Sequence, residues 1–232
     1  MKIYSIDGLI GSGKSTLVQK LKETLNKIQI SNKKIVFIEE PVKEWMESGL
    51  LKKYYEDPKR CGYNFHNSAF ITRAKVLRDS IEKNGNDCIY ITERSVATDR
   101  HVFAKMLYKS GYISDMEYEL YKSWYNYFSK PIDGIIYVNT SIENSLERIK
   151  KRGRLGESNI TEDYIIDLYK YHNEWLENED NVLRLDGNID IESDELYHQE
   201  LILKVTNFIE NNEYNERPLT LEDEMEIEWY RI

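Results

Sequence analysis

The sequence predicts an α/β domain built on a parallel β-sheet with helices on both faces. Three observations carry that prediction. Short apolar runs alternate with longer segments of helical period. The runs lack polar alternation, so each strand is buried on both faces. A glycine-punctuated loop follows the first run and opens a helix, in the stretch "IYSIDGLIGSGKSTLVQKL", which is strand, loop and helix in the order such sheets repeat.

The elements follow in chain order. Five strand-like runs fall at residues 3–7, 34–39 ("KIVFIE"), 87–92 ("DCIYIT"), 134–139 ("GIIYVN") and 181–186 ("NVLRLD"). Between them lie helix-like stretches at about 14–29, 42–53, 63–84, 97–109, 114–129, 141–151, 161–178 and 192–211. Pro41 breaks the second strand, and Gly153 ends the helix before it. We read residues 1–211 as one domain and 212–232, with "LEDEMEIEWYRI", as a loosely held acidic tail. No internal repeat and no long low-complexity segment interrupts the pattern.

Composition narrows the function classes. A chain of 232 residues, 41% hydrophobic and 31% charged, suits a single globular domain. A net charge of −9 argues against a dedicated nucleic-acid binder. A small anionic substrate stays open, because the local field outweighs the sum. Two unpatterned cysteines, Cys61 and Cys88, read as reduced thiols of an intracellular protein. No apolar run approaches the ~18 residues of a membrane span. The first strand starts so near Met1 that a leader is not expected, which places the chain in the cytoplasm without a membrane partner.

Four motifs carry chemistry, and all fall where strands end, the edge at which parallel sheets bind ligands. The first is Gly8-x-x-x-x-Gly13-Lys14-Ser15. Gly8, Gly11, Ser12 and Gly13, with Lys14, Ser15 and Thr16 opening the helix, form a candidate cradle for a nucleoside triphosphate. Backbone N–H groups and the helix N-terminus point at anionic oxygen. Lys14 reaches the β- and γ-phosphates, and the Ser15 hydroxyl holds Mg²⁺. The second is "FIEEPVKEW", which delivers Glu39 and Glu40 to the ligand edge, where a carboxylate can take a proton from a hydroxyl nucleophile. The third is "CIYITERSVATDR", ending a buried strand in Glu93-Arg94. An acid there is the usual second partner of Mg²⁺, and an arginine beside it grips phosphate oxygen. The fourth is "ERIKKRGRLGE". Arg148 and Arg152 share a helix face, Arg154 follows, and arginines of a mobile lid can stabilise a phosphoryl group in flight.

With these motifs in this order, the chain resembles the deoxynucleoside kinase family, and within it the deoxycytidine/deoxyguanosine kinase branch. The marks are "GLIGSGKST", "EEPVKEW", "YYEDPKR", "ERSVATDR" and "RIKKRGRLGE", and the likeness runs from about residue 2 to 208. It implies a P-loop kinase fold with a five-stranded parallel sheet and a lid, a homodimer, and transfer of the γ-phosphate of Mg-ATP to a deoxynucleoside 5′-hydroxyl. Glu40 then matches the carboxylate beside that hydroxyl, Glu93 the acid tied to Mg²⁺, and Arg94 a group near the transferring phosphate. Tyr55 and Glu157 match the pair that holds the sugar 3′-hydroxyl. Trp45 and Phe65 flank the base. Arg148, Arg152 and Arg154 match the lid arginines, and Asp190 and Ile191 the segment touching the donor base.

Ala69, Arg73 and Asp99 match the residues lining the base pocket. This predicts purine deoxynucleosides or deoxycytidine as substrates ahead of thymidine. The chain departs from the family at His66 in "NFHNSAF", where a glutamine is usual. Glutamine offers a carbonyl and an amide together, whereas neutral histidine offers one donor and one acceptor on separate faces. A base-reading histidine with an ordinary pKa of about 6.5 would lose its acceptor in mild acid.

Three other enzymatic or binding readings use the same loop. A nucleoside-monophosphate kinase of the dTMP or dGMP type shares the fold and the lid, but "EEPVKEW" and "ERS" favour a nucleoside acceptor. A guanine-nucleotide switch would carry Asn-Lys-x-Asp after the fourth strand, where "VNTSIE" stands. A catalytically dead nucleotide-binding module would have lost Lys14, Glu40 or a lid arginine, and none is missing.

Overall fold

The computed structural model describes residues 1–25, 30, 32–154, 156–192 and 194–213. Five parallel strands form one sheet in the order β2-β3-β1-β4-β5: β1 Lys2–Gly8, β2 Lys34–Ile38, β3 Cys88–Glu93, β4 Gly134–Asn139 and β5 Val182–Asp186. The chain leaves β1 toward β2 on one side and leaves β3 toward β4 on the other. The crevice between the carboxyl ends of β1 and β3 is therefore the place where such a sheet takes a ligand.

Alternate side chains go to opposite faces of each strand. In β4, Ile135 and Tyr137 join one core with Leu9, Trp45, Phe103, Leu168 and Trp175. Ile136 and Val138 join a second core with Tyr4, Ile6, Leu17, Leu21, Ile89 and Leu201. Both cores are contiguous and closely buried, which fixes the sheet and with it the loops at its edge.

The helices largely fall where the periodicity places them, and their ends have local causes. α1 is Lys14–Leu25, and residues 26–29 of its expected span lie outside the described residues. The single helix expected at 42–53 is two, α2 Val42–Glu47 and α3 Leu50–Glu56. Gly49, at φ 72°, ends the first and starts the second, because only glycine takes that turn cheaply. α4 is Pro58–Asn84 and begins before the expected residue 63. The Asp57 carboxylate accepts from the Arg60 N–H at 3.1 Å and Pro58 occupies the first helical position, a start signal present in "EDPKR".

The expected helix 97–109 is three pieces: α5 Val96–Thr98, a π-helical turn Asp99–Ala104, and α6 Lys105–Lys109. Ser95 and Thr98 cap its start reciprocally. α7 Asp115–Phe128 is opened by a Ser114–Glu117 capping box. α8 Ile142–Arg152 ends at Gly153, φ 59°. A short 3₁₀ turn, Glu157–Asn159, has no counterpart in the sequence reading. α9 is Glu162–Leu176 and α10 is Glu195–Glu213. The second strand stops at Ile38, one residue short of the expected Glu39, so Glu39 and Glu40 belong to the loop after it. Of the expected tail, residues 214–232 lie outside the described residues. Among the described residues no helix is long and apolar enough to cross a membrane.

Candidate active site

The loop after β1 is shaped by contacts that only glycine tolerates. A Cβ on Gly8, φ 151°, would sit 2.7 Å from the Val138 carbonyl oxygen, and one on Gly11, φ 79°, 2.6 Å from the Ser145 carbonyl oxygen. The loop thus lies pressed against β4 and α8. Lys14 is buried and donates to the Leu9 carbonyl at 2.6 Å and weakly to Ser12 Oγ at 3.4 Å. Burial, with the nearby charge of Arg94, pushes its ammonium down to about 7.

Ser15 Oγ donates to Glu93 Oε1 at 2.6 Å. Two hard oxygen donors, one from α1 and one from the end of β3, therefore meet at the mouth of the phosphate loop. Mg²⁺ is commonly held by one or two protein oxygens, with water and substrate phosphates completing its octahedron. The donor pair fits that ion. Among the described residues no cluster of three or more metal-binding side chains exists, so this is not an all-protein cage.

The carboxylate side of the crevice is a charge ladder. Arg73, on α4, donates to Asp99 and to Glu40. Arg94 donates to both Glu40 oxygens at 3.1 Å and to the Gly8 carbonyl at 3.1 Å. Arg94 holds φ at 56°, a left-handed conformation uncommon for a side-chain-bearing residue and characteristic of functional turns. Burial alone would raise the Glu40 carboxyl, but Arg94 and Arg73 hold it at about 2. For Asp99 burial outweighs Arg73, and its carboxyl is pushed up to about 6. Asp99 Oδ2, Arg73 Nε and Arg94 Nε are buried without a hydrogen-bond partner. Such atoms are costly unless a ligand satisfies them.

His66 adds two more. Both its ring nitrogens are buried and unpartnered, and the ring stacks on Phe103 at 5.4 Å between Tyr54 and Phe65. Burial, then the charge of Arg73, pushes it down to about 3. The titration expected near 6.5 is thereby corrected: the imidazole is neutral at any working pH, because no counter-ion repays charging it in this apolar nest.

The sequence-predicted residues converge on one cavity of about 600 Å³, the size of a small-molecule site. Gly11, Ser12, Gly13, Lys14, Ser15 and Thr16 line one side, and Glu40, Glu93 and Arg94 the junction. Trp45, Phe65, His66, Ala69, Arg73 and Asp99 line the far end. Tyr55, Glu157, Arg152 and Arg154 also line it, and Arg148, Asp190 and Ile191 line it as well, Arg148 lying beside the phosphate loop. Gly8 and Glu39 are not lining residues: Gly8 shapes the loop from behind, and Glu39 is exposed and pairs with Lys22 at 3.3 Å, which leaves Glu40 as the carboxylate of that motif in the cavity.

The three arginines do not act as one group. Arg148 donates to the Gly187 and Asn188 carbonyls, at 2.6 and 3.2 Å. Arg152 grips Glu157 with two bonds, 3.1 and 2.6 Å, and Arg154 reaches it at 3.4 Å. Glu157 is 3% exposed, so those two lid arginines are anchored to a buried carboxylate.

Sequence reasoning missed several lining residues. Phe103 stands four residues after Asp99, and that spacing was a usable sign that both face the cavity. Tyr164, whose hydroxyl lies 3.0 Å from that of Tyr54, left no sign, being one more apolar-face position of α9. Lys151 also lines the cavity beside Arg152.

A family model described as deoxynucleoside kinase matches residues 4–210. A probable deoxycytidine kinase of fowlpox virus (strain NVSL) is 34% identical, the match covering 90% of this chain and 88% of that one. Deoxycytidine kinase 2 of Gallus gallus is 32% identical over 90% and 91%. The mitochondrial deoxyguanosine kinase of Xenopus laevis is 31% identical over 76% and 73%. The matched span carries all of the sheet but the first two residues of β1, and every side chain of the cavity, and the chain belongs to the deoxynucleoside kinase family.

Proposed function

We propose that this enzyme transfers the γ-phosphate of Mg-ATP to the 5′-hydroxyl of a deoxynucleoside, with deoxycytidine or a purine deoxynucleoside preferred to thymidine. One observation carries the reading: Glu40, fixed by Arg73 and Arg94, sits between the phosphate loop and a pocket of unpartnered base-sized polar groups. The relatives named as deoxycytidine and deoxyguanosine kinases support it. A monophosphate acceptor would need free cations where Glu40 stands, and both nearby arginines are already engaged by it.

In this reading the phosphate loop and Lys14 bind the triphosphate, while Ser15 and Glu93 hold Mg²⁺. The metal, when bound, neutralises charge on the phosphates. Trp45 and Phe65 flank the base, which meets Asp99, Arg73 and His66 across from Ala69. Tyr55 and Glu157 take the 3′-hydroxyl. Glu157 keeps lone pairs free for it while holding Arg152 and Arg154, so the sugar and the lid share one carboxylate. Asp190 and Ile191 lie against the donor base, and Arg148, Arg152 and Arg154 stabilise the phosphoryl group.

A carboxylate at about 2 is a weak proton acceptor in the resting site. Phosphoryl transfer through a loose transition state needs little base assistance early and more as the bond forms. Arg94 supplies the timing. As negative charge builds on the phosphoryl oxygens, its guanidinium shifts its interaction toward them, Glu40 loses a counter-ion, and its basicity rises. The exposed apolar row on α7, with Met116, Leu120, Trp124 and Tyr127, supports a homodimer. The two free thiols suit a cytoplasmic setting.

Two tests follow from this site. With a deoxynucleoside and Mg-ATP, ³¹P NMR should show ADP and a 5′-monophosphate, whereas a 3′-monophosphate or no product contradicts the reading. Lys14, near 7 when free of phosphate, should return toward an ordinary lysine pKa beside a triphosphate. Donor affinity should therefore fall as pH rises above 7, with net proton uptake on binding at pH 8. Calorimetry in buffers of different ionisation heat checks this, and zero uptake contradicts it.

A further inference from the structure

We propose that Asp7 and Thr98 are positioning residues for the transfer, their hydrogen bond holding the phosphate loop in register with the acceptor-side charge ladder. This rests on the roles given above to Glu40 and Arg94.

Asp7 is fully buried in the central strand β1, one residue before Gly8. Its Oδ1 accepts from Thr98 Oγ1 at 2.5 Å and its Oδ2 from Ser5 Oγ at 2.5 Å. Thr98 Oγ1 accepts in turn from the Ser95 N–H at 3.0 Å. Packing does not ask for a carboxylate here, since an apolar residue would fill a central strand at no desolvation cost.

What the pair does is close a ring. Asp7 is bonded through the chain to Gly8, whose carbonyl accepts from Arg94 at 3.1 Å. Arg94 holds Glu40, Glu40 holds Arg73, and Arg73 holds Asp99. Asp99 follows Thr98 in the chain, and Thr98 returns to Asp7. The strained turn at Arg94 lies inside this ring, tied to β1 by its N–H on the Ile6 carbonyl at 2.9 Å. Cutting the Asp7–Thr98 link removes no substrate-touching side chain but frees the π-helical turn and Asp99 to shift against the phosphate loop. Reacting groups held for in-line attack lose rate steeply when displaced by about 1 Å.

The test uses the full-length enzyme with Thr98→Val, Thr98→Ser, Asp7→Ala, which removes the acceptor outright, and the Asp7→Ala/Thr98→Val double variant, assayed well below every thermal midpoint. Thr98→Val should lower kcat roughly 10-fold with deoxynucleoside KM changed less than about twofold, a split expected for lost alignment. Thr98→Ser, which keeps the hydroxyl, should restore kcat. The double variant should lose no more than the worse single one, because both remove the same bond. If Thr98→Val does not fold, Asp7→Ala carries the test, with the same expected fall in kcat. A lower thermal midpoint with wild-type kcat makes the pair merely structural and overturns the inference, as do additive losses. Wild-type enzyme inactive on every deoxynucleoside overturns the site reading and this inference together, whereas an active wild type with an unaffected Thr98→Val overturns this inference alone.

Discussion

Glu40→Gln is expected to cut kcat by roughly 10²–10⁴-fold, the range for removing a proton acceptor at a reacting group. Deoxynucleoside KM should change far less, since glutamine keeps the shape and one oxygen. The structure adds a second consequence. Glu40 is the shared counter-ion of Arg73 and Arg94, both buried. Removing one partner of a buried ion pair costs about 3–5 kcal/mol of stability, so the thermal midpoint should fall as well. Glu40→Asp separates the two effects: it keeps the charge near the arginines but draws the oxygen back from the hydroxyl. It should recover much of the stability and little of the rate. Near wild-type turnover of Glu40→Gln, with metal binding intact, would pass the proton-acceptor role to Glu93.

Arg73→Met combined with Asp99→Ala should raise the ratio of kcat/KM for thymidine to that for deoxycytidine by roughly 10²-fold. Relieving a mispaired buried polar group is worth about 1–3 kcal/mol, which converts to that scale. Both residues must change together, because Arg73→Met alone strands the Asp99 carboxyl, while Asp99→Ala alone leaves the Arg73 guanidinium, still held by Glu40, in the base pocket. The same change frees Glu40 of one arginine, so its carboxyl rises from about 2. A general loss of kcat should therefore accompany the altered ranking. In the proposed site, the pH dependence of base recognition is expected to follow Asp99 and not His66. Asp99 sits at about 6 and His66 at about 3. Below 6 the Asp99 carboxyl gains a proton and loses acceptor capacity, so kcat/KM for a base offering an amino group there should fall as pH drops from 7 to 5. Asp99→Asn should flatten that fall. His66→Gln should alter base ranking and leave the pH profile unchanged. Flattening by His66→Gln contradicts the assignment.

The parallel sheet was legible because its five runs are apolar on both faces, and the phosphate loop because glycine, lysine and serine spacing has one physical use. Placement of Glu40, Glu93 and Arg94 at strand ends was also legible, since strand ends are where loops reach a ligand. The break at Gly49 was written as a glycine but hidden by continuous helical period on either side of it. The start of α4 was written in "EDPKR" and missed because the apolar period begins later. The π-helical turn was not legible, because a one-residue widening leaves the apolar face nearly unchanged. The sharing of Arg73 between Glu40 and Asp99 was beyond the sequence, which presents the two acids as members of separate motifs. The lowered pKa of His66 likewise comes from burial, among neighbours such as Tyr54, Phe65 and Phe103, and then from the charge of Arg73, an environment only the fold decides.

The most direct measurement is a steady-state panel: kcat/KM with Mg-ATP for deoxycytidine, deoxyguanosine, deoxyadenosine, thymidine and their four 5′-monophosphates. The predicted result is turnover of nucleosides, led by deoxycytidine or a purine deoxynucleoside, with thymidine poor and the monophosphates inert. Thymidine as the best substrate would contradict the reading of Arg73 and Asp99, and turnover confined to monophosphates would contradict the acceptor role of Glu40 itself.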